Sequence, residues 1–384
     1  MDKSKKVYRA LQKHLDRQPV GFPRTRDGSD LRILSHIFSP EEAELATCLN
    51  YRYRSEEEIQ AVYSERFSGI DDIPAALQQM LEKGGIEGIE KEGRRYYCTA
   101  PLIVGMYEMQ LYRLNPEFIH DFRSYTRSPA FGLSYLGTGL PQMRTIPIEK
   151  SIRPQYSVAD YDTVEQLLRS NDGPFVIVDC ICRKKADMEG RHCRVTERTE
   201  TCLAMGNVAR SVLLTGQGRE IDLTEARDIL KTNQKQGLIL QPSNTQKAEF
   251  ICSCCGCCCG ILNIHKKIPR PLDYWSTPFT AVLDPEKCNA CGACIRRCQV
   301  DAIQLSEGKD SVLIDAQRCL GCGHCVAVCS KSALELSDSG RAATPPEDRV
   351  ALHEAIADRK GGLLKKLKVA GKYLFDSLQE PSAH

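Results

Sequence analysis

The sequence predicts an α+β chain of several domains, and three observations carry that reading. Eight cysteines near the carboxy-terminal end form two equal arrays. These are Cys288, Cys291, Cys294, Cys298 and Cys319, Cys322, Cys325, Cys329, each member lying 31 positions from its counterpart. Between residues 30 and 100, capped helical stretches give way to two short strands. Ten more cysteines between residues 180 and 259 fall where a buried strand, a helix and a loop alternate. A length of 384 residues leaves room for about two to four domains.

The head is expected over residues 1–125. Pro40 with Glu41, Glu42 and Glu44 opens a helix with acids in its first turn. Ser55 ahead of Glu56, Glu57 and Glu58 is a capping-box pattern, and that helix should run to about Phe67. Asp71, Asp72 and Pro74 open a third helix, which Gly84-Gly85 ends. The segment IEGIEKEGRRYYCTA reads as a hairpin turning at Glu92-Gly93. Helices followed by a hairpin resemble the layout of a winged-helix domain. The charge argues against nucleic acid as its partner. Residues 29–100 hold eight Lys and Arg against fourteen acids, a net charge of −6, where phosphate binding needs a positive footprint. The would-be reading helix, DDIPAALQQMLEK, offers only Gln78, Gln79 and Lys83 to base edges. The head is therefore expected to dock proteins or to dimerise.

Residues 101–128 continue as an amphipathic helical stretch, and a connector is expected over 126–160. From Ser128 onward it is rich in Pro, Gly and aromatics and should be irregular. The middle domain, 161–279, is expected to be mixed α/β. FVIVDCICRK gives a buried strand from Phe175 to Val178 ending in Cys180 and Cys182. Cys193 and Cys202 follow. REIDLTEARDILKTNQKQGLIL is a connecting helix, with Thr224 before Glu225 at its start and Gly237 after its end. It folds the run ICSCCGCCCG back toward the first group. Six cysteines in eight positions cannot be core filling, because neighbouring side chains point in different directions.

A metal centre is expected in this block, with ligands from both groups: Cys180 or Cys182, Cys193, Cys202, and one or more of Cys252, Cys254, Cys255 and Cys257. A third [4Fe-4S] cluster, a structural zinc site and a dithiol redox pair are the competing readings. Arg183, Lys184 and Lys185 would stabilise thiolates there. Cys48 and Cys98 stand apart and read as buried apolar residues. Both cysteine groups, with the upstream IPIEKSI, resemble cysteine-rich iron–sulfur proteins of a ferredoxin-like kind whose role is unassigned.

In the module over 280–340, three thiolates spaced two apart can wrap a tight loop around a cubane of iron and sulfide. The fourth, three further on, reaches the neighbouring cluster. One cluster is thus expected on Cys288, Cys291, Cys294 and Cys329, the other on Cys319, Cys322, Cys325 and Cys298. Zinc sites instead use CxxC pairs parted by a longer loop, and disulfide frameworks belong to small secreted domains. CNACGACIRRCQVDAI and CLGCGHCVAVCSKSAL resemble the bacterial two-[4Fe-4S] ferredoxins over about residues 280–338. The resemblance implies a pseudo-symmetric α+β module passing single electrons at low potential. Gln299 and Ser330 stand where that family usually has Pro.

The tail, 341–384, reads as a polar linker and then a basic amphipathic helix over residues 359–378. That helix would lie on a membrane surface, on an acidic partner or on the protein itself. No run of eighteen apolar residues exists, and the basic opening is followed by no apolar stretch, so no transmembrane segment and no secretory signal are expected. Twenty cysteines then imply a reducing cytoplasm and an anaerobic or microaerobic host. The chain has 27% charged residues and a net charge of +2, which argues against a dedicated nucleic-acid binder. No nicotinamide or flavin fingerprint appears. The expected function is relay of single low-potential electrons between redox partner proteins. The alternatives are a redox-sensing regulator using the head, or an oxidoreductase reacting at the middle cysteines.

Overall fold

The computed structural model describes residues 3–148, 151, 162–341, 343–361 and 371. Apart from residues 359–361 and 371, the basic helix expected at 359–378 lies outside the described residues. The chain mixes helices with small sheets, an α+β arrangement.

The head opens with α1 (Lys3–Arg17) and α2 (Ser29–Ile37), neither of which was among the expected helices. Both bury apolar stripes: Leu11 and Leu15 from α1, and Leu31, Ile33, Leu34 and Ile37 from α2. α3 (Pro40–Ala46) starts at a capping box on Ser39, with Pro40 in its first turn. The short strand β1 (Arg54–Ser55) leads into α4 (Glu56–Arg66), and Ser55 exchanges hydrogen bonds with Glu58 as the second capping box. α5 (Ile73–Glu82) is capped by Asp72. β2 (Ile86–Lys91) and β3 (Arg94–Thr99) then turn at Glu92-Gly93, both at positive φ, and the sheet runs β1-β3-β2.

Past the sheet the backbone makes a tight irregular coil, Leu102–Met106, before α6 (Pro116–Thr126) and α7 (Pro129–Leu136). α7 corrects the reading of this stretch as irregular. Ser128 caps it and Pro129 occupies its first turn, so Pro and Gly richness here marks a helix start.

The middle domain is built on a five-stranded antiparallel sheet of order β6-β4-β5-β8-β7. In chain order its elements are α8 (Val164–Arg169), β4 (Phe175–Asp179), α9 (Ile181–Met188), β5 (Glu200–Met205), α10 (Gly206–Leu214), β6 (Arg219–Ile221), α11 (Leu223–Gln236), β7 (Ile239–Pro242), β8 (Phe250–Cys254) and α12 (Gly260–Lys267). The connecting helix α11 begins two residues earlier than expected, with Asp222 as its cap, and ends at Gly237 in the left-handed region. Alternation along the strands assigns two faces. Ile177, Leu203 and Ile251 pack with Leu167, Leu168 and Leu230 of α8 and α11. Val176 and Ala204 face Ala209 and Val212 of α10. Cys202 lies two residues from Ala204 and so shares that second face. α10 also joins the head, with Ser211 Oγ accepting from the Gly88 N–H of β2 at 3.2 Å.

The last module repeats itself with the 31-residue offset of its cysteines. β9 (Phe279–Leu283) pairs with β12 (Leu334–Asp338), and β10 (Ile303–Leu305) with β11 (Val312–Ile314). The short helices α13 (Ala293–Arg297) and α14 (His324–Ala327) follow Gly292 and Gly323, both left-handed. Asp301 and Ser332, again one offset apart, are both at positive φ. The stretch after it corrects the linker expectation. α15 (Arg349–Arg359), capped by Asp348, buries Leu352, His353 and Ile356 against the rest of the protein.

Candidate metal centres

In the last module one cavity is lined by Cys288, Cys291, Cys294 and Cys329. The fourth thiol thus comes from the other array. Cys298 correspondingly interacts with Cys319, Cys322 and Cys325. Backbone donors approach equivalent sulfurs: the Ala302 N–H points at Cys298 Sγ and the Ala333 N–H at Cys329 Sγ, each at 3.3 Å. A third, from Ala281, reaches Cys319 Sγ at 3.3 Å. Such donors suit thiolates holding an anionic cluster. Burial pushes the free Cys325 thiol well above its ordinary value, so a bound cationic metal would supply the reason for it to ionise. Cys291 is the exposed member of its group.

The ligands expected for a single middle centre divide between two groups. Cys193, Cys255, Cys257 and Cys258 form the first group, with every sulfur within 4.8 Å of the others. Cys193 Sγ lies 3.7 Å from Cys255 Sγ and 3.8 Å from Cys257 Sγ. Cys257 Sγ lies 3.5 Å from Cys255 Sγ and 3.7 Å from Cys258 Sγ. Four thiolates at about 2.3 Å from a tetrahedral ion stand about 3.8 Å apart, which matches this group. A cubane would hold them out of mutual contact. Cys258 was not among the expected ligands.

The other six close into a ring. Cys180 interacts with Cys182 and Cys202, Cys202 with Cys252, Cys252 with Cys254, Cys254 with Cys259, and Cys259 with Cys182. The sheet sets this up. Leu203 pairs with Ile251, so one step along β5 and β8 brings Cys202 opposite Cys252. Cys254 follows two residues later on the same face. Cys180 and Cys259 are the N-cap residues of α9 and α12. Neither sulfur makes a capping hydrogen bond, but both lie at a helix N-terminus, where negative charge is favoured. The neighbouring Cys182 and Cys202 thiols hold the Cys180 thiol well below its ordinary value.

Arg183 lies between the two groups. It interacts with Cys180 and Cys202 on one side and with Cys255 and Cys193 on the other. Its guanidinium is fixed by the Ser253 carbonyl at 2.8 Å and by the Thr201 hydroxyl, yet its Nε has no partner. Tyr107, 4% exposed, interacts with Cys182, Cys180 and Cys259, and its hydroxyl is also unpartnered. Lys184 instead sits over the Tyr112 ring, 4.8 Å from its centroid. Glu108 interacts with Cys180 and Cys252. Burial pushes its carboxyl up to about 7. The Gly105 N–H donates to Glu108 Oε2 at 2.8 Å, from the coil in which Val104 adopts φ 56°. A β-branched residue rarely tolerates that conformation, so the surroundings must hold it there. None of Tyr107, Glu108 or Val104 carries a sequence signal, since only the folded head brings them to the cysteines.

The ferredoxin-like module and the cysteine block touch directly. The Gly256 N–H donates to Gln299 Oε1 at 2.8 Å, and a Cβ on Gly256 would stand 2.1 Å from the Gln299 carbonyl oxygen. Gln299 is the residue in the usual Pro position, so that departure provides the joint. Arg297 donates to the Gln236 carbonyl at 2.8 Å, and His324 Nε2 lies 3.0 Å from the Leu238 carbonyl. Cys48 and Cys98 are buried as expected, but Cys98 is not isolated: Arg349 Nη2 lies 3.5 Å from its sulfur.

Comparison with known proteins matches the 4Fe-4S dicluster domain family to residues 273–333. No curated protein and no solved structure matches the chain. Among the described residues no helix is long and apolar enough to cross a membrane. The protein carries an iron–sulfur, ferredoxin-like module of the 4Fe-4S kind, and with it a general role in electron transfer.

Proposed function

We propose that the protein relays single low-potential electrons between redox partners through two [4Fe-4S] clusters and onward into the cysteine-rich middle domain. Cys288, Cys291, Cys294 and Cys329 hold the first cluster, and Cys319, Cys322, Cys325 and Cys298 the second. Electrons enter at the first cluster, where Cys291 is exposed to a docking partner. The second cluster adjoins the middle domain. The carrying observation is the Gln299–Gly256 hydrogen bond, which joins the residue after Cys298 to the loop of Cys255 and Cys257. A plain carrier has no need of a fixed joint at that end.

The group Cys193, Cys255, Cys257 and Cys258 best fits zinc, as a structural clamp beside the second cluster. It ties the strand-end loop after α9 to the cysteine loop before α12. The order of helices and strands in the head supports a winged-helix-like docking module for a partner protein. A DNA-binding regulator is disfavoured by the head's charge and by α10 packing on its hairpin.

Crossed ligation supplies the test. In Cys298→Ala, prepared without oxygen, the cluster on Cys319, Cys322 and Cys325 should be damaged while that on Cys288, Cys291 and Cys294 persists. Loss of the sequence-adjacent cluster instead would refute the assignment. Retention of the isolated head on duplex DNA, weakening steeply with salt, would revive the regulator.

A further inference from the structure

We infer that Cys180, Cys182, Cys202, Cys252, Cys254 and Cys259 form a second metal site in the middle domain. It holds a polynuclear iron–sulfur cluster, and the cluster's open side faces an apolar cavity that binds a small, mainly apolar ligand able to coordinate iron. This deepens the electron-relay reading and rests on it for the supply of electrons, but the site itself stands on separate observations.

The first is the shape of the ring. Each of the six thiols has two others as neighbours but hydrogen-bonds with neither, whereas Cys193, Cys255, Cys257 and Cys258 are the one group among the described residues whose sulfurs are all within 4.8 Å of one another. A single tetrahedral ion would gather four ring sulfurs as closely as that. Two zinc ions sharing thiolates would do so twice. A ring whose members stand farther apart than those of the tight group encloses more than one ion. Soft thiolates in that number suit iron with sulfide.

The second is the lining. Positive charge converges on the ring from several elements: Arg183 and Lys185 from α9, and the N-terminal ends of α9 and α12. Two buried polar atoms near it, Arg183 Nε and the Tyr107 hydroxyl, have no protein partner. Buried donors are ordinarily satisfied, and an anionic cluster with sulfide acceptors would satisfy both.

The third is the cavity. Cys202 and Cys252 lie in its wall, and about 130 Å³ within it is open to water-sized molecules. Ala204, Val208 and Val212 give it an apolar flank, and Glu108 lies on the wall beside the ring. The charged groups farther along, Glu87, Glu249 and Arg349, are paired with one another. Arg349 is thus shared by both carboxylates, and the rest of the lining is mostly aliphatic, so the ligand is apolar in body. A purely relaying cluster gains nothing from a cavity at its side, whereas a cluster that binds a ligand needs one.

The test uses the full-length protein prepared without oxygen, with n-butyl isocyanide as the probe, since it joins an iron-binding carbon to an apolar tail. Iron should exceed the roughly eight atoms of two cubanes, and Cys202→Ala with Cys252→Ala should return it to about eight while sparing the ferredoxin signals. The probe should shift the Mössbauer or EPR features of the additional iron and leave the ferredoxin pair unchanged. Val208→Trp, which fills the cavity without touching the ring, should keep the iron and lose the response to the probe. Iron at about eight with all six ring thiols open to alkylation overturns the metal site, and the ferredoxin signals report independently whether the relay reading stands. Additional iron that ignores the probe in the unsubstituted protein overturns the ligand site. A response that persists in a folded Val208→Trp protein does the same.

Discussion

Gly256 and Gln299 decide whether the two cysteine systems are one device. A side chain at 256 would meet the Gln299 carbonyl oxygen at 2.1 Å, and backbone cannot yield as a flexible side chain can. Gly256→Ala should therefore cost about 1–3 kcal/mol through overpacking. In a redox titration it should uncouple the second cluster from the middle domain while total iron in the ferredoxin-like module stays the same. Unchanged thermal stability would show that the contact is loose. Cys258 makes a second residue-scale prediction. Cys258→Ala should lose one zinc per chain without losing iron, measured by elemental analysis, because its sulfur sits among Cys193, Cys255 and Cys257. Loss of iron with zinc untouched would mean that the tight group is not the zinc site. Adjacent residues here fall in different groups, Cys258 with Cys193, Cys255 and Cys257, and Cys259 in the ring. Sequence could not separate them, because a one-residue step at a helix N-cap reverses direction. It could see that so many neighbouring thiols cannot share one ligand set.

At the scale of elements, α15 carries a pH dependence. His353 is buried beside Tyr51, their rings 5.8 Å apart in an edge-on pair. Burial, reinforced by Arg349, lowers its imidazole to about 3 from 6.5. Its stabilising contribution is therefore fully present above pH 6.5 and is lost as pH falls through that window toward 3. By one unit below the unfolded value the loss is about 1.4 kcal/mol. Urea unfolding at pH 7.5 and pH 5.5 should show this slope reduced in His353→Gln; an equal slope in both proteins would show that the helix is not docked through His353.

The same helix shows what sequence concealed. Residues 341–358 are polar on average, and averaging hides Asp348, Leu352 and Ile356, a cap and a four-residue spacing. Helices α1 and α2 are concealed for a related reason: α1 has no acid in its first turn and α2 no side-chain cap, whereas α3 and α4 open on capping boxes. The ferredoxin arrays were legible because their ligand loops are local, two and three residues apart. The ring was not, because β4, β5, β8 and two helix starts meet only through the sheet's register.

At the scale of the whole molecule, the modules are ordered like stations. The exposed Cys291 lies in the first cluster group, the second group joins the middle domain at Gln299, and Arg183 stands between tetrathiolate and ring. The head closes over the ring with Tyr107 and Glu108, and α15 pins that closure through the Arg349 ion pairs to Glu87 and Glu249. Arg349→Ala should thus loosen head from middle domain and cost about 3–5 kcal/mol, since it leaves buried carboxylates uncompensated. Limited proteolysis should then cut between them, whereas resistance equal to the parent protein would place the closure elsewhere. The central claim is that the ferredoxin-like module is a redox-active pair of cubanes feeding the rest of the chain. An EPR-monitored reductive titration of the intact protein under anaerobic conditions tests it most directly. About two spins per chain should appear from the module at low potential, with line shapes broadened by coupling between neighbouring clusters. A protein with its cysteines metal-bound but no reducible signal from the module would contradict it.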